Sequence, residues 1–446
     1  MLGGENVVIL LKCTAVILEF YWLFLATKYT LVFLLSFHHT FSLESTAAMF
    51  RCALSLLVLS TASAAAPAAA PGGDWKAFAV AQVKSALASG SPTAYPSKTT
   101  PGAPHEWLTS SGWTSGFFPG TLWMLGNATA DAGLLRAAAA YSAGRASEAN
   151  NSGTHDVGFM VYDSLGKGLE LGGDSLPAAD AARYRAYVVQ AADSLASRFS
   201  EAVGMTRSWG HKDDDTQFEV IIDNLMNLEL LWKAADFQQA ASNATDAARL
   251  RAIARSTAEN MGKYWLRPDG STYHLVVFDP ASGAVRSRSG QPQGLCDNCT
   301  WARGQAWGVY GFTMAYRYTN DTRFLALAAA VTDFYLGHVE TDAVPKWDFS
   351  ATAAWGGANR DTSAAAIVAS GLLELYGYTG DARHLAAATA ALTSLNSAAY
   401  RLQDKGQSIL THCFHDCGGD DCSIVEADYF FVEAMLRAEA MGIAIP

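Results

Sequence analysis

Two aspartates lie in sequence contexts where a carboxyl group could transfer a proton. Asp156 precedes one apolar segment, and Asp223 lies within another, directly after Ile222. Burial among apolar residues, or a second carboxylate nearby, raises the pKa of an aspartate. An acid that stays protonated near neutral pH can act as a general acid. We therefore predict acid–base chemistry at Asp223. The alternatives are a helix N-cap role for Asp156 and, for Asp223, a buried carboxylate satisfied by backbone hydrogen bonds.

Aromatic and polar residues with suitable chemistry for ligand binding occur elsewhere. Trp113 precedes a predicted helix and could stack on the apolar face of a sugar or join the core. Arg303 lies one helical turn before Trp307, which places both side chains on one helix face. Because a guanidinium group matches the geometry of a carboxylate, Arg303 is predicted to neutralise a ligand carboxylate, with a structural ion pair as the alternative. His274 and Gln293 add polar groups to the same set of loops.

Other clusters resemble metal or phosphate sites only weakly. The His and Cys residues at 412–422 lack the paired spacing of a zinc site. The acidic run 213–215 lacks the glutamate that occupies the twelfth position of a calcium loop. The sequence also contains no phosphate-binding loop. We therefore predict that the protein uses no metal and no nucleotide cofactor.

The elements that would position these residues are predicted to be helices. Apolar residues recur at three- and four-residue spacing in about twelve segments. These segments are 75–89, 115–126, 131–148, 157–170, 178–199, 219–235, 245–263, 302–319, 322–338, 362–378, 381–396 and 425–441. Expected N-cap residues are Asp131, Thr245, Asp321 and Asp381. The clearest strand-like segment is 272–278.

Twelve helices joined by short turns can form six hairpins, and six hairpins can close into a ring. The sequence therefore predicts an all-α fold, an (α/α)6 barrel or six-hairpin toroid, with long loops at one rim. A stacked solenoid is the alternative, although no motif repeats at a fixed period. The longer predicted loops are 90–113, 200–218, 264–301, 339–361 and 398–424.

The composition excludes several classes of protein. Of the 446 residues, 50% are hydrophobic and 16% are charged, and the formal net charge is -11. A chain this apolar is not intrinsically disordered. A nucleic-acid-binding protein needs a surplus of Lys and Arg, which this chain lacks. Because no linker interrupts the chain after about residue 105, we predict one large domain over residues 105–446.

The amino-terminal region has the layout of a secretory leader. Met49 and Arg51 precede a short apolar run, and residues 62–64 supply an Ala-x-Ala cleavage site, which predicts a signal peptide over residues 49–64. Residues 1–48 are interpreted as an extension, with a membrane anchor at 7–37 as the alternative. Residues 65–104 are predicted to be a flexible mature N-terminus followed by the first helix. The protein is thus predicted to be secreted, with no stable membrane partner.

Glycosylation sequons and cysteines fit an extracellular protein. The chain has five Asn-x-Ser/Thr sequons, at Asn127, Asn150, Asn243, Asn298 and Asn320. Two of the seven cysteines lie in the leader. Two disulfide bonds and one free thiol are expected in an oxidising compartment, with the connectivity left open. The other five cysteines are Cys296, Cys299, Cys413, Cys417 and Cys422.

Six short motifs occur in order between residues 107 and 437. They are Ser-Gly-Phe-Phe-Pro-Gly at 115–120, His-Asp-Val-Gly-Phe-Met at 155–160, Ile-Asp-Asn-Leu-Met-Asn-Leu at 222–228, Trp-Ala-Arg-Gly-Gln-Ala-Trp at 301–307, Asp-Thr-Ser-Ala-Ala-Ala at 361–366 and Glu-Ala-Asp-Tyr-Phe at 426–430. Together they resemble the unsaturated glucuronyl hydrolases, glycoside hydrolase family 88. The resemblance implies an (α/α)6 barrel, in agreement with the helix count.

The resemblance also implies an activity and a set of site residues. Polysaccharide lyases leave a C4=C5 double bond on the non-reducing uronate, and this family removes that sugar by hydrating the double bond. Asp223 matches the general acid/base, which protonates C4 and assists water at C5. Asp156 matches the second carboxylate, which binds sugar hydroxyls and helps to keep its partner protonated. The positions that match the sugar pocket are Trp113, His155, Trp209, His274, Gln293, Arg303 and Trp307.

Three other functions are compatible with these residues. One is an unsaturated rhamnogalacturonyl hydrolase, with the same reaction and a different aglycone. A second is an inverting glycosidase, whose two carboxyl groups lie about 6.5–9.5 Å apart. The third is a non-catalytic sugar-binding barrel. Pro292 stands where family members often have a histidine, which leaves the aglycone side of the pocket open. The parent polysaccharide and the oligomeric state are also left open.

Overall fold

The computed structural model describes residues 74–101, 103–352, 359–403, 406–414 and 421–446. They belong to a compact unit that spans Ala69–Pro446, and the unit before it spans Met1–Ala68. The predicted extension, signal peptide and apolar segment 7–37 lie outside the described residues. Within the part of the chain that is described, no helix combines the length and the apolar character needed to cross a membrane.

The described residues are mainly helical, which confirms the predicted all-α class. Twelve α-helices are present in these residues. They are α1 (Trp75–Ser89), α2 (Phe117–Thr129), α3 (Ala132–Ala143), α4 (Lys167–Leu171), α5 (Ala178–Ala196), α6 (Asn224–Ala240), α7 (Ala244–Tyr264), α8 (Ala302–Thr319), α9 (Thr322–His338), α10 (Thr362–Thr379), α11 (Ala382–Leu395) and α12 (Val425–Ala440). A π-helix, Gly158–Gly166, runs directly into α4.

Short antiparallel strands occupy the connections between helices. They are β1 (Pro96–Thr100), β2 (Ala103–Thr109), β3 (Phe199–Ser200), β4 (Met205–Thr206), β5 (Phe218–Ile221), β6 (Leu275–Phe278), β7 (Val285–Ser289), β8 (Cys413–Phe414) and β9 (Asp421–Cys422). Strands β5, β6 and β7 form a three-stranded sheet in which β6 is central. The strand predicted at 272–278 is therefore confirmed over its second half.

Two kinds of helix differ in how they are buried. α8 is buried at every residue from Ala302 to Ala315, and α2, α6, α10, α12 and the π-helix are similarly enclosed. By contrast, α7 buries Ala247, Leu250 and Ala254 at helical spacing and leaves its other face to solvent. The amphipathic helices α3, α7, α9 and α11 pack on α2, α6, α8 and α10 respectively, and α5 packs on the π-helix and α6.

The enclosed helices α6, α8 and α10 run in the same direction. Arg303, at the start of α8, lies 3.3 Å from Asp361, which caps the start of α10. Near the opposite ends of these two helices, Arg317 of α8 contacts Glu374 of α10. Ile222, just before α6, lies beside Gly304 of α8. Glu229, further along α6, lies 2.7 Å from Arg317. Because each helix carries a partial positive charge at its amino end, this arrangement gathers several such charges at one end of the unit.

A partly buried ionic network lies toward the opposite end. Arg437 of α12 lies 2.7 Å from Glu374 and 3.5 Å from Glu433. Glu433 also accepts a hydrogen bond of 2.7 Å from Ser370, and Arg317 joins the same network through Glu374. Buried charges are tolerated when they are paired and hydrogen-bonded, and these are. The network therefore links the carboxyl-terminal halves of three enclosed helices.

Three of the four predicted N-caps are confirmed. Asp131, Asp321 and Asp381 each accept backbone N–H groups at the start of α3, α9 and α11. The prediction for Thr245 is wrong. Helix α7 begins one residue earlier, and its N-cap is Asn243, whose side-chain oxygen accepts the N–H of Asp246.

The segment predicted as a flexible N-terminus and first helix contains a further element. Strand β1 pairs with β2, and Thr99 donates its backbone N–H to the Ser423 carbonyl at 3.0 Å. Thr99 is completely buried. Strand β1, which precedes residue 105, therefore packs with elements from the far end of the chain.

The cysteines form one disulfide bond among the described residues, where two were expected from the sequence. Cys296 and Cys299 are bonded, with sulfur atoms 2.05 Å apart. Cys413 and Cys422 face each other across β8 and β9 and are free, buried thiols. Cys417 lies outside the described residues.

Candidate active site

Asp223 lies at a junction between a strand and a helix. The sequence placed it inside a helical segment that began at residue 219, and the structure corrects this. The β-branched run 220–222 continues the extended chain from β5, and the Ile222 N–H donates to the His274 carbonyl at 2.9 Å. α6 begins immediately afterwards, at Asn224. Asp223 therefore projects from the amino end of an enclosed helix.

The surroundings of Asp223 favour its protonated form. The residue is 8% exposed, and among the described residues its Oδ2 atom has no hydrogen-bond partner. Burial raises the pKa of Asp223 to about 6, and the charge of Asp156 acts in the same direction, against the opposing charges of His155 and Arg303. The nearest ring nitrogen, Nδ1 of His274, is 3.7 Å from Oδ2. Asp223 thus has the properties of a general acid.

The surroundings of Asp156, in contrast, favour its ionised form. Thr154 donates its hydroxyl to Oδ2 at 2.6 Å, and Nε2 of His155 lies 3.1 Å from Oδ1. Burial alone would raise the pKa of Asp156, but His155, Thr154 and Arg198 together lower it. The side chain does not cap the following helix, so the N-cap interpretation is wrong. Two carboxyl groups whose pKa values are shifted in opposite directions are typical of acid–base sites.

A serine that the sequence analysis did not consider orients His155. The imidazole is completely buried, and its Nδ1 atom lies 3.1 Å from Oγ of Ser208. The same Oγ accepts the N–H of Ile221 at 2.9 Å. Ser208 therefore fixes the orientation of the imidazole, whose Nε2 atom lies 3.1 Å from Oδ1 of Asp156. No local motif marks Ser208, since its partners are remote in sequence.

Arg198 holds the loop that carries Ser208 and Trp209. Its guanidinium group donates to the carbonyl groups of Ser152 at 2.5 Å, Ser208 at 3.2 Å and Gly210 at 3.0 Å. Arg198 is 1% exposed, so these carbonyl groups satisfy a buried charge. The interaction fixes the loop beside Asp156.

Asn227 connects the two segments that carry the aspartates. Its Oδ1 accepts the N–H of Phe159 in the π-helix at 2.9 Å, and its Nδ2 donates to the Asp223 carbonyl at 3.2 Å. The close approach of the Asn227 side chain to the π-helix requires a glycine at position 158, because a Cβ atom at Gly158 would lie 2.5 Å from Oδ1 of Asn227. This amide therefore helps to fix the relative position of Asp156 and Asp223.

We predict that Asn227→Ala lowers both stability and turnover. It removes the side-chain acceptor of the buried Phe159 N–H, which costs about 1–3 kcal/mol, whereas the Asp223 carbonyl still accepts the N–H of Met226 at 3.0 Å. The midpoint of thermal unfolding should fall, and kcat should decrease more than KM changes, because the two carboxyl groups lose their fixed separation. Gln239→Ala, at an exposed position on the same helix, is the control. Unchanged unfolding and turnover in Asn227→Ala would contradict this role.

His274 packs with two tryptophan rings beside Asp223. Its ring is 1% exposed and lies 4.9 Å from the Trp301 ring and 6.0 Å from the Trp209 ring, centroid to centroid. Burial and the charge of Arg303 lower the pKa of His274 to about 3, so the ring is neutral at physiological pH. Gln293, partly buried, lies close enough to the ring to oppose this lowering of the His274 pKa. The structure therefore brings together Trp209, His274 and Gln293, as the sequence predicted.

Arg303 forms the ion pair that was the alternative to a ligand-binding role. Its Nη1 atom lies 3.3 Å from Oδ2 of Asp361, and it donates to Oγ of Ser363 at 3.2 Å and to the Phe414 carbonyl at 2.7 Å. The guanidinium carbon also lies 4.5 Å from the centre of the Trp301 ring. A ligand carboxylate at Arg303 would therefore share the positive charge of the guanidinium group with Asp361.

The two other tryptophans differ in exposure. Trp113 is partly buried and contacts the rings of Phe117 and Phe159, which leaves part of its surface to a ligand. Trp307 is completely buried between Phe159 and Phe430. Its Nε1 atom has no hydrogen-bond partner among the described residues, and the sugar-pocket position implied for Trp307 stays a prediction.

Glu426 is a titratable residue of this end that had no predicted role. It lies in the first turn of α12 and is completely buried, and neither carboxyl oxygen has a hydrogen-bond partner among the described residues. Burial raises the pKa of Glu426 to about 7. The sequence signal is an acidic residue within the apolar run 424–432.

Part of the His and Cys cluster at 412–422 lies outside the described residues. Nδ1 of His412 lies 3.0 Å from the carboxylate of Asp421, and Cys413 and Cys422 are the buried thiols. His415 and Asp416 lie outside the described residues. In the described ranges, no group of three or more His, Cys, Asp or Glu side chains is placed to hold a metal ion.

Curated relatives share most of this chain. No family model matches it. It is 41% identical over 337 residues to an unsaturated glucuronyl hydrolase of Formosa agariphila, covering 74% of this chain and 80% of the relative. It is 34% identical over 343 residues to an unsaturated glucuronyl hydrolase of Bacillus sp. (strain GL1), covering 73% of this chain and 86% of the relative.

Solved structures with the same fold carry the same name. An unsaturated glucuronyl hydrolase described as specific for heparin superposes with a TM-score of 0.74 at 32% identity, covering 84% of this chain and all 100% of that one. The crystal structure of the enzyme from Bacillus sp. GL1 gives a TM-score of 0.71 at 28% identity, covering 82% of this chain and 95% of that one.

Proposed function

Because the chain belongs to the unsaturated glucuronyl hydrolases, which remove unsaturated uronic acid from oligosaccharides, we propose that Asp223 is the acid that starts this reaction. The observation that supports the assignment is the contrast between two neighbouring carboxyl groups. Asp223 is buried with a raised pKa, and Asp156 is hydrogen-bonded with a lowered one. This contrast provides one proton donor and one fixed negative charge.

The chemistry follows from the electron distribution of the substrate. The C4=C5 bond and the ring oxygen form a vinyl ether, which is electron-rich at C4. Transfer of the Asp223 proton to C4 leaves an oxocarbenium-like cation at C5. Water then adds to C5, and its proton returns to the Asp223 carboxylate, which restores the acid. The resulting hemiketal opens and releases the aglycone.

Asp156 and His155 prepare the acid. The Asp156 carboxylate accepts the Thr154 hydroxyl hydrogen and lies 3.1 Å from Nε2 of His155, and both neighbours lower its pKa, which keeps it ionised beside Asp223. Its negative charge makes the ionised form of Asp223 less favourable and so retains the proton until substrate arrives. A free oxygen lone pair of Asp156 also remains available to bind a sugar hydroxyl group.

The location of the site suits an anionic sugar. Asp223, Arg303 and Asp361 lie at the amino ends of α6, α8 and α10, where the helix dipoles place partial positive charge. Arg303 adds a full positive charge, partly offset by Asp361. We place the substrate carboxylate near Arg303, with Trp113 and Trp209 along the sugar.

The architecture that supports this site is proposed to be the (α/α)6 barrel. Contacts join α2 to the π-helix, the π-helix to α6, α6 to α8, α8 to α10, and α10 to α12. α12 in turn contacts α2. This sequence of contacts is the one expected of six inner helices in a closed ring.

We also propose that the protein is a secreted glycoprotein. The asparagines of all five sequons are exposed, as N-glycosylation requires. Their separation over the surface is compatible with glycan at any of them. The intact mass and amino-terminal sequence of the secreted chain test this proposal, and a start between residues 65 and 67 would support the predicted cleavage.

Activity on matched disaccharides tests the proposed reaction. The purified protein should consume unsaturated uronyl disaccharides, followed as loss of the double-bond ultraviolet absorbance, and leave the corresponding saturated glucuronides intact. A saturated sugar has no vinyl ether to protonate. The panel should include heparin- and chondroitin-derived disaccharides, since relatives carry names that refer to both. Cleavage of the saturated glucuronides would instead indicate an ordinary glycosidase.

Turnover should depend on pH through Asp223. Because the acid form is the active form and the pKa of Asp223 is about 6, kcat should fall as the pH rises through that value. His274 is neutral throughout this range and should not contribute. Initial rates at saturating substrate between pH 4.5 and pH 8.5 measure the effect. A kcat that rises across the same interval would contradict the assignment.

A further inference from the structure

Glu426 differs from the other acids at this end of the unit in having no partner. Asp361 accepts hydrogen bonds from Arg303, from Ser363 and from backbone N–H groups. Asp428 accepts the N–H groups of Ile409 at 2.8 Å and of Leu410 at 2.9 Å. Neither oxygen of Glu426 accepts any hydrogen bond in the described residues. An unsatisfied buried carboxyl group is unusual, which suggests a role beyond packing.

The carboxyl group of Glu426 lies within electrostatic range of the Arg303 ion pair and of the proposed acid. The charge of Arg303 lowers its pKa, while burial, Asp361 and Asp223 raise it. The charge of Glu426 in turn raises the pKa of Cys422 in β9 and the pKa of Asp428 in its own helix. The charged and titratable groups on the elements around it are Arg303, Asp361, Asp223, Cys422, Asp428 and Lys98, the last on the strand that bridges to Ile424.

The charge balance at Arg303 depends on whether Glu426 is ionised. Among the described residues, the carboxylate in contact with the Arg303 guanidinium group is that of Asp361. Ionisation of Glu426 adds one negative charge to this cluster and so opposes the charge of Arg303. An anionic sugar would then meet repulsion that is strong in a buried, weakly screened setting.

We propose that Glu426 is a positioning residue for substrate binding, which by remaining uncharged keeps the positive charge of Arg303 available to the carboxylate of the uronate. The inference rests on the proposed function, since it requires an anionic substrate near Arg303. It assigns Glu426 no proton transfer and no direct contact with the reacting atoms. Its effect is on affinity and on the pH at which affinity is lost.

Binding to a variant without turnover isolates this effect. In Asp223→Asn the substrate stays intact, and residue 223 carries no charge at any pH. The dissociation constant of an unsaturated uronyl disaccharide should then rise on the order of tenfold between pH 6 and pH 8.5, as Glu426 ionises. In the double variant Asp223→Asn/Glu426→Gln it should stay nearly constant. Any pH-dependent contribution of groups that are present in both variants, including His155, cancels when the two dissociation constants are compared.

The methyl ester of the same disaccharide is the matched control. The ester carries no charge, so its dissociation constant should be independent of pH in both variants. Isothermal titration calorimetry measures the dissociation constants of both compounds. Thermal unfolding shows whether the glutamine variant is folded. Equal pH dependence in the single and double variants, or none in the single variant, would overturn the role of Glu426. Failure of the wild-type protein to consume the unsaturated disaccharide would instead overturn the proposed function.

Discussion

Replacing Asp223 with asparagine should abolish nearly all turnover while leaving substrate binding intact. Asparagine keeps the shape of the side chain but has no proton of suitable acidity to give to C4. General acid–base catalysis contributes about 10²–10⁴-fold, and a loss in this range is expected in kcat, measured from the ultraviolet absorbance of an unsaturated disaccharide. KM should change little, because the residue transfers a proton and does not hold the sugar carboxylate.

The folded state of Asp223→Asn provides the internal control. A buried acid with a raised pKa stabilises the fold at low pH, and this stability is lost as the pH rises through about 6. The neutral asparagine avoids this loss, so at neutral pH the variant should unfold at the wild-type temperature or higher. A variant that is stable, binds the disaccharide and retains full kcat would refute Asp223 as the acid.

Asp156→Asn should also reduce turnover strongly, by about 10²-fold at neutral pH, with a different dependence on pH. The Asp156 charge raises the pKa of Asp223, so its removal lowers that pKa and leaves less Asp223 protonated. The pH above which kcat declines should therefore move to a lower value. Activity should recover in part as the pH is reduced.

Rate profiles of kcat against pH measure this shift. Asp213→Asn, at a side chain that is 66% exposed on a nearby loop, is the control for loss of one negative charge. It should leave the profile unchanged. If Asp156→Asn loses activity equally at every pH, then Asp156 contributes contacts with the sugar and not the electrostatic effect on Asp223.

The sequence predicted the helices well because their apolar spacing is a local property. The N-caps Asp131, Asp321 and Asp381 were found for the same reason, since each acts within its own first turn. The segment before Asp223 was predicted incorrectly. Its β-branched residues continue a strand whose partner, β6, lies about 50 residues away, and local spacing carries no information about that pairing.

The candidate site was predicted in part. Motif resemblance gave the two aspartates and most of the pocket, and the structure brings Asp223, His274 and Gln293 together. The sequence left open whether Arg303 binds a ligand or a structural partner, because its partner Asp361 is remote along the chain. Ser208 carries no distinctive local pattern, and the acidic residue Glu426 within an apolar run gives no indication that its carboxyl group lacks a partner. Their importance depends on burial and on missing or distant partners, which only the folded arrangement reveals.

The order of the helices along the chain has a consequence for biosynthesis. α12 is the last helix, yet it contacts α2, the earliest of the enclosed helices, and supplies Glu433 and Arg437 to the partly buried ionic network. While the ribosome is still making the preceding residues, α2 and α10 lack the apolar surface that covers them, and Glu374 lacks one of its two arginines. The core of the nascent chain therefore cannot close before α12 has been synthesised and has left the ribosome. Until α12 is released, the partly folded chain exposes apolar surface that a chaperone can bind.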